Sequence, residues 1–149
     1  MFVIVDTSVV YAAVLRDSRV RGTILRFGIE WAAPPLLREE VRRALPDIAA
    51  KARRPRAEVE EVIDTVLAQL GEVDVSRNDP EYAVALELIG SRDESDVEFV
   101  AAALKYDAIG VWSLDKDFDG IAGVPRLTTA SVERLIELVG EGFSPGAAR

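Results

Sequence analysis

Asp6 interrupts an apolar run, Phe2 to Val5, and is followed at once by Thr7, Ser8, Val9 and Val10. A short apolar run with β-branched residues reads as a buried strand, and an Asp-Thr-Ser step supplies helix-capping side chains. The Asp6 carboxylate is therefore expected at the carboxyl end of a parallel strand, where open α/β sheets bind their ligands. Other acids stand at comparable places. Glu40 shares an apolar stripe with Leu37, Val41 and Ala44, whereas Glu39 falls off it; Asp93 and Asp96 precede the run Phe99, Val100, Ala103, Leu104; and Asp115, Asp117 and Asp119 follow the apolar segment Ala108 to Trp112. Carboxylates crowded together repel one another and take up protons unless a cation neutralises them. A divalent ion resolves that repulsion, and two such ions can position a water for attack on a phosphodiester.

Each acid also has a plainer reading. Asp6 and Asp96 can cap helices, Glu40 can reach solvent or pair with Arg43, and Asp93 can be a solvated loop residue. The segment 115–119 can be an ordinary polar turn, of which at most two acids face a common site. What favours convergence is that the acids sit at the same end of successive elements.

Composition narrows the chemistry. The 149 residues include neither His nor Cys, which excludes a Ser-His-Asp triad, a Cys-His pair, disulfides and an ordinary zinc site. Catalysis would have to run on carboxylates, Lys, Tyr, hydroxyls or a hard metal ion, and oxygen-rich sites select Mg²⁺, Mn²⁺ or Ca²⁺. The net charge of −8 argues against broad adhesion to nucleic acid but not against nucleic acid as a substrate. The basic residues concentrate at Arg38, Arg42, Arg43, Lys51, Arg53, Arg54 and Arg56, which read either as a solvated helix face or as a phosphate track. With 49% apolar and 30% charged residues the chain is expected to be globular. No apolar run approaches the ~20 residues of a membrane span, the N-terminus carries no signal-peptide pattern, and the absence of Cys points to the cytoplasm.

The elements that must position these acids can be read in order. Strands are expected over 2–5, 29–33, 73–75, 108–112 and 124–127. Helices are expected over 9–16 and 20–27, from Pro34-Pro35 through Ile48, over 58–70 with Gly71 as its stop, from Asn78-Asp79-Pro80 through Ile89, from Asp96 through Leu104, and over 131–139. Residues 51–56 read as a basic connector, residues 1–140 as one domain, and residues 141–149 as a flexible tail. Strands alternating with helices imply a parallel sheet with right-handed crossovers and helices on both faces. Asp6, Glu40, Asp96 and Asp115/Asp117 then arrive at one sheet edge from four separate segments.

Four segments, Val5-Asp-Thr-Ser8, Leu37-Arg-Glu-Glu-Val41, Asp93-Glu-Ser-Asp-Val-Glu-Phe-Val-Ala-Ala-Ala-Leu104 and Ser113-Leu-Asp-Lys-Asp-Phe118, lie in the order and spacing of PIN-domain nucleases. The chain resembles in particular the toxins of prokaryotic toxin–antitoxin pairs. The resemblance implies a three-layer α/β/α fold around a central parallel sheet of four to five strands. It also implies a Mg²⁺- or Mn²⁺-dependent endoribonuclease acting on single-stranded RNA. It assigns Asp6, Glu40, Asp96 and Asp115 as catalytic, metal-binding acids, with Asp93 and Asp117 at further acidic positions. Ser113 matches a hydroxyl that orders a water at the metal, Thr7 and Ser8 support the first motif, and Arg42, Arg43, Arg53 and Arg54 are the RNA-binding candidates. A protein antitoxin and a homodimer are the partners implied. Trp112 departs from the smaller aliphatics usual before that Ser, which is expected to alter access to the site. The alternatives are a PIN-fold module that binds RNA or protein without cleavage, and a phosphoryl-accepting receiver-like domain. The last ranks lowest because Val5-Asp6 offers one acid where a pair is wanted.

Overall fold

A computed structural model describes residues 2–15, 18–90 and 92–140. The expected tail, 141–149, lies outside the described residues. Five strands form one sheet, β1 (Phe2–Val5), β2 (Glu30–Ala33), β3 (Leu70–Glu72), β4 (Val111–Trp112) and β5 (Arg126–Leu127), in the order β3-β2-β1-β4-β5. All four pairings are parallel, as the strand–helix alternation requires.

Between β1 and β2 the chain forms α1 (Thr7–Leu15) and α2 (Ser18–Ile24), and between β2 and β3 it forms α3 (Pro35–Ala52) and α4 (Arg56–Leu67). The crossover to β4 carries α5 (Pro80–Ile89) and α6 (Val97–Lys105), and α7 (Thr129–Gly140) follows β5. Helix α1 packs with α2, α3 and α4, whereas α5 and α6 pack on each other and α6 on β1 and β4. Right-handed crossovers that run in opposite directions along the sheet place these two groups on opposite faces. The central strand β1 is buried from Val3 through Val5, and Phe99, Val100, Trp112 and Phe118 fill the space around it. Among the described residues, no helix is long and apolar enough to cross a membrane.

Several boundaries differ from the sequence reading. Helix α1 begins at Thr7, because the Val9 amide already donates to the Asp6 carbonyl at 3.1 Å. Helix α3 runs on through Pro46 to Ala52 and ends where Arg53 takes a left-handed backbone (φ 52°, ψ 43°), so the connector shrinks to residues 53–55. The third strand is not 73–75 but Leu70–Glu72, and Gly71 lies inside it instead of stopping a helix. Leu70 pairs with Trp31 in the sheet, and the Arg38 guanidinium donates to the carbonyls of both Leu67 and Leu70 at 3.1 Å. That long-range donor satisfies the carbonyls at the end of α4, a task a C-terminal glycine often serves.

A candidate metal centre at the sheet edge

Strands β1 and β4 are the neighbours at which the strand order reverses, the position where open α/β sheets bind ligands. Asp6 ends β1, and its amide donates to the Trp112 carbonyl of β4 at 3.0 Å. The residue is 5% exposed. Oδ2 accepts hydrogen bonds from Ser8 Oγ at 2.6 Å and Ser113 Oγ at 2.7 Å. Those hydroxyls in turn accept from the Leu114 amide at 3.1 Å and the Asp115 amide at 3.0 Å. Asp6 is thus tied through two hydroxyls to the loop after β4. Oδ2 also accepts from the Ser8 amide at 3.4 Å, a long capping bond at the start of α1. Burial raises its pKa above the ordinary carboxylate value, and the two hydroxyls partly offset that rise.

Asp93 and Asp115 each begin a single 3₁₀ turn, Glu94–Asp96 and Lys116–Phe118. Asp93 Oδ1 accepts from the Ser95 amide at 2.9 Å, and Asp115 Oδ1 accepts from the Asp117 amide at 2.9 Å. Capping therefore accounts for part of what these two acids do. It accounts for nothing at Asp96. That residue starts α6 without making a side-chain cap bond, and its Oδ2 is buried with no hydrogen-bond partner. An acceptor left so costs about 1–3 kcal/mol. Burial first, and then the charges of Asp6, Asp93, Asp115 and Glu40, raise the Asp96 pKa to about 7. Asp96, Asp115 and Asp117 each offer a carboxylate oxygen, and the three oxygens lie within 4.8 Å of one another.

Glu40 is half-buried on α3 while Glu39 is exposed, as the apolar stripe predicts. Burial raises the Glu40 pKa; Thr7 and Arg43 oppose this, and the charges of Asp6 and Asp93 add to it. The Thr7 hydroxyl beside it is buried without a well-aligned partner. Asp119 leaves the group and pairs with Arg126, so two of the three acids in 115–119 join Asp96. Trp112 is fully buried, 5.2 Å from the Trp31 ring, and its Nε1 donates to Thr129 Oγ1 at 3.3 Å. Its bulk is taken up in the core, contrary to the expectation that it would shape access.

The four RNA-binding candidates border different depressions. Arg43 borders a depression that includes Glu40, and Arg42 lines the cleft between α3 and α4. Arg53 and Arg54 lie beyond the far end of α3, about 15 Å along the helix axis from Arg43 at 1.5 Å per residue. Two arginines that the sequence reading passed over matter more for the geometry. Arg92 Nη1 donates to the Asp117 carbonyl at 3.0 Å and the Asp119 carbonyl at 2.7 Å. Arg126 donates to the Ser113 carbonyl at 3.1 Å. Bonds to main-chain carbonyls leave no pattern in a sequence, and an arginine in a polar break reads as solvated.

A sequence model of the PIN domain matches residues 4–137. The chain belongs to the PIN domain family. No curated protein and no solved structure matches it. PIN domains are generally nucleases, and the five-stranded parallel sheet flanked by helices is the fold expected of one. The acidic group in this PIN domain suits a divalent ion on chemical grounds. Its donors are hard carboxylate oxygens, its three-acid core is compact, and one buried oxygen lacks any donor, which a cation would satisfy.

Proposed function

We propose that this PIN domain is a metal-dependent endoribonuclease that cleaves single-stranded RNA. The observation that carries the reading is Asp96, a buried carboxylate with a partnerless oxygen that converges with Asp115 and Asp117. Asp96, Asp115 and Asp117 would hold a Mg²⁺ or Mn²⁺ ion, with Asp6 and Glu40 at its border. When bound, such an ion supplies Lewis acidity to a phosphodiester oxygen and lowers the pKa of a water.

The chain's own groups have separable roles. Ser8 and Ser113 orient the Asp6 carboxylate through Oδ2, so that it meets the other acids in one fixed pose. Arg92 and Arg126 hold the loop of Asp115 and Asp117 by its carbonyls. Glu40, whose pKa burial raises, would take the proton that the attacking water gives up as it bonds to phosphorus, and would return it to the oxygen whose bond to phosphorus breaks.

The test is cleavage of single-stranded RNA with Mn²⁺ or Mg²⁺, comparing the wild type with Asp6→Asn and Asp96→Asn. Cleavage by the wild type, abolished by chelation and lost in both variants, is the expected result. Equal activity in the variants would sink the proposal. The likeness to toxin-type members extends the reading to a cytoplasmic toxin, a homodimer, with a protein antitoxin. Co-purification with the product of an adjoining reading frame tests that extension.

A further inference from the structure

Beside the acids lies an open depression of about 450 Å³, lined by Tyr11, Leu36, Glu40, Arg43, Ala44, Asp47 and Ser95. Its lining includes Glu40, whose charge acts on Asp96, and Ser95, the residue before Asp96, so the depression borders the candidate metal centre. Arg43 stands one helical turn beyond Glu40. No ion pair or hydrogen bond engages its guanidinium among the described residues, although Asp47 lies one turn further on. Tyr11 is half-buried on α1, with its hydroxyl 3.5 Å from the Glu40 carbonyl. Its pKa is raised by burial and then by the charges of Glu40 and Asp6, with Arg43 opposing, so the phenol stays neutral and within electrostatic reach of both the acids and the arginine.

An uncommitted guanidinium and a half-buried aromatic ring lining one depression are a donor set for a nucleotide. The guanidinium matches phosphate geometry with two parallel donors, and the ring offers a face on which any base can stack. A chain of net charge −8 that gathers carboxylates at its site repels a polyanion there, so a cation is needed next to it to hold the substrate. We propose that Tyr11 and Arg43 form a nucleotide subsite adjoining the acids. Arg43 binds the phosphate next to the scissile one, and Tyr11 stacks on the base between them. This rests on the nuclease reading and names where its substrate lies.

The test is binding of a short single-stranded oligoribonucleotide in Ca²⁺, followed by fluorescence anisotropy over a range of salt, together with cleavage kinetics in Mn²⁺. Arg43→Gln is expected to make the slope of log affinity against log salt shallower by about 0.7, one phosphate contact on a single strand. Tyr11→Leu is expected to weaken binding roughly 5- to 100-fold, the range for loss of one stacked base, while Tyr11→Phe binds as the wild type does. Both losses should raise KM and leave kcat nearly unchanged. Arg134→Gln, which makes the same charge change on α7, should leave the salt slope as it is. Wild-type binding and salt dependence in both Arg43→Gln and Tyr11→Leu would overturn the subsite alone. A wild-type protein that neither binds nor cleaves the RNA would overturn the nuclease reading with it.

Discussion

Among the acids of this site, Asp96 is the one whose position no folding task explains. Asp93 and Asp115 start 3₁₀ turns and Asp6 is bridged to the loop after β4, but Asp96 is buried, uncapping and crowded by like charges. Asp96→Asn should therefore act in two directions at once. It should abolish Mn²⁺ binding measured by calorimetry, and it should raise the melting temperature of the chelated protein at pH 8 by removing a repelled charge. A fall in that melting temperature would mean that the carboxylate is structural. Ser113 acts at one remove, through the bond to Asp6 Oδ2. Ser113→Ala should lower Mn²⁺ affinity by roughly 10- to 100-fold, as loss of a supporting contact beside a metal's ligands does, and a titration with unchanged affinity would refute it. At this scale the sequence was readable where periodicity fixes a side chain's direction: Glu40 over Glu39 follows from the α3 stripe. It was ambiguous at Asp93 and Asp96, three residues apart at a helix start, because both positions can cap.

Elements were legible where they obey local rules, and less so where distant groups complete them. Proline at the starts of α3 and α5 announced those helices. Gly71 misled, because the end of α4 is completed by Arg38 from another helix and not by a local turn. The loop of Asp115 and Asp117 has the same character. Its shape depends on Arg92, which reaches across from the segment that carries Asp93 and Asp96 and so fixes the distance between the two acid-bearing pieces. Arg92→Gln should lower Mn²⁺ affinity about tenfold, the small end of the range for such supporting contacts. Arg92→Lys should restore only part of it, since an ammonium lacks the planar fork. Affinity equal to wild type in Arg92→Gln, by the same calorimetry, would remove it from this role.

For the whole molecule, the acids set the dependence of stability on pH. Asp96 moves from an ordinary value near 3.8 to about 7 on folding, and Asp6 and Glu40 shift in the same direction. The folded chain then binds more protons than the unfolded one, so the stability of the metal-free protein declines as pH rises from about 4 to about 7. Asp79 and Glu133 are shifted downward by Lys105 and Arg19. Their contributions run the other way and are complete above their ordinary values, 3.8 and 4.5, so they leave the decline above pH 5 unaltered. Thermal unfolding of chelated protein between pH 5 and 8 should show this fall. Added Mg²⁺ should stabilise more at pH 8 than at pH 6, where protons compete for the same oxygens. A profile that rises over this interval would contradict the assignment. The bond between Ser113 and Asp6 joins residues 107 positions apart. At about 5–20 residues per second, a ribosome releases Asp6 several seconds before the strand that completes its surroundings. A site laid out in this way stays incomplete while its message is being read, and Asp6 gains its full set of partners only once most of the chain has been made.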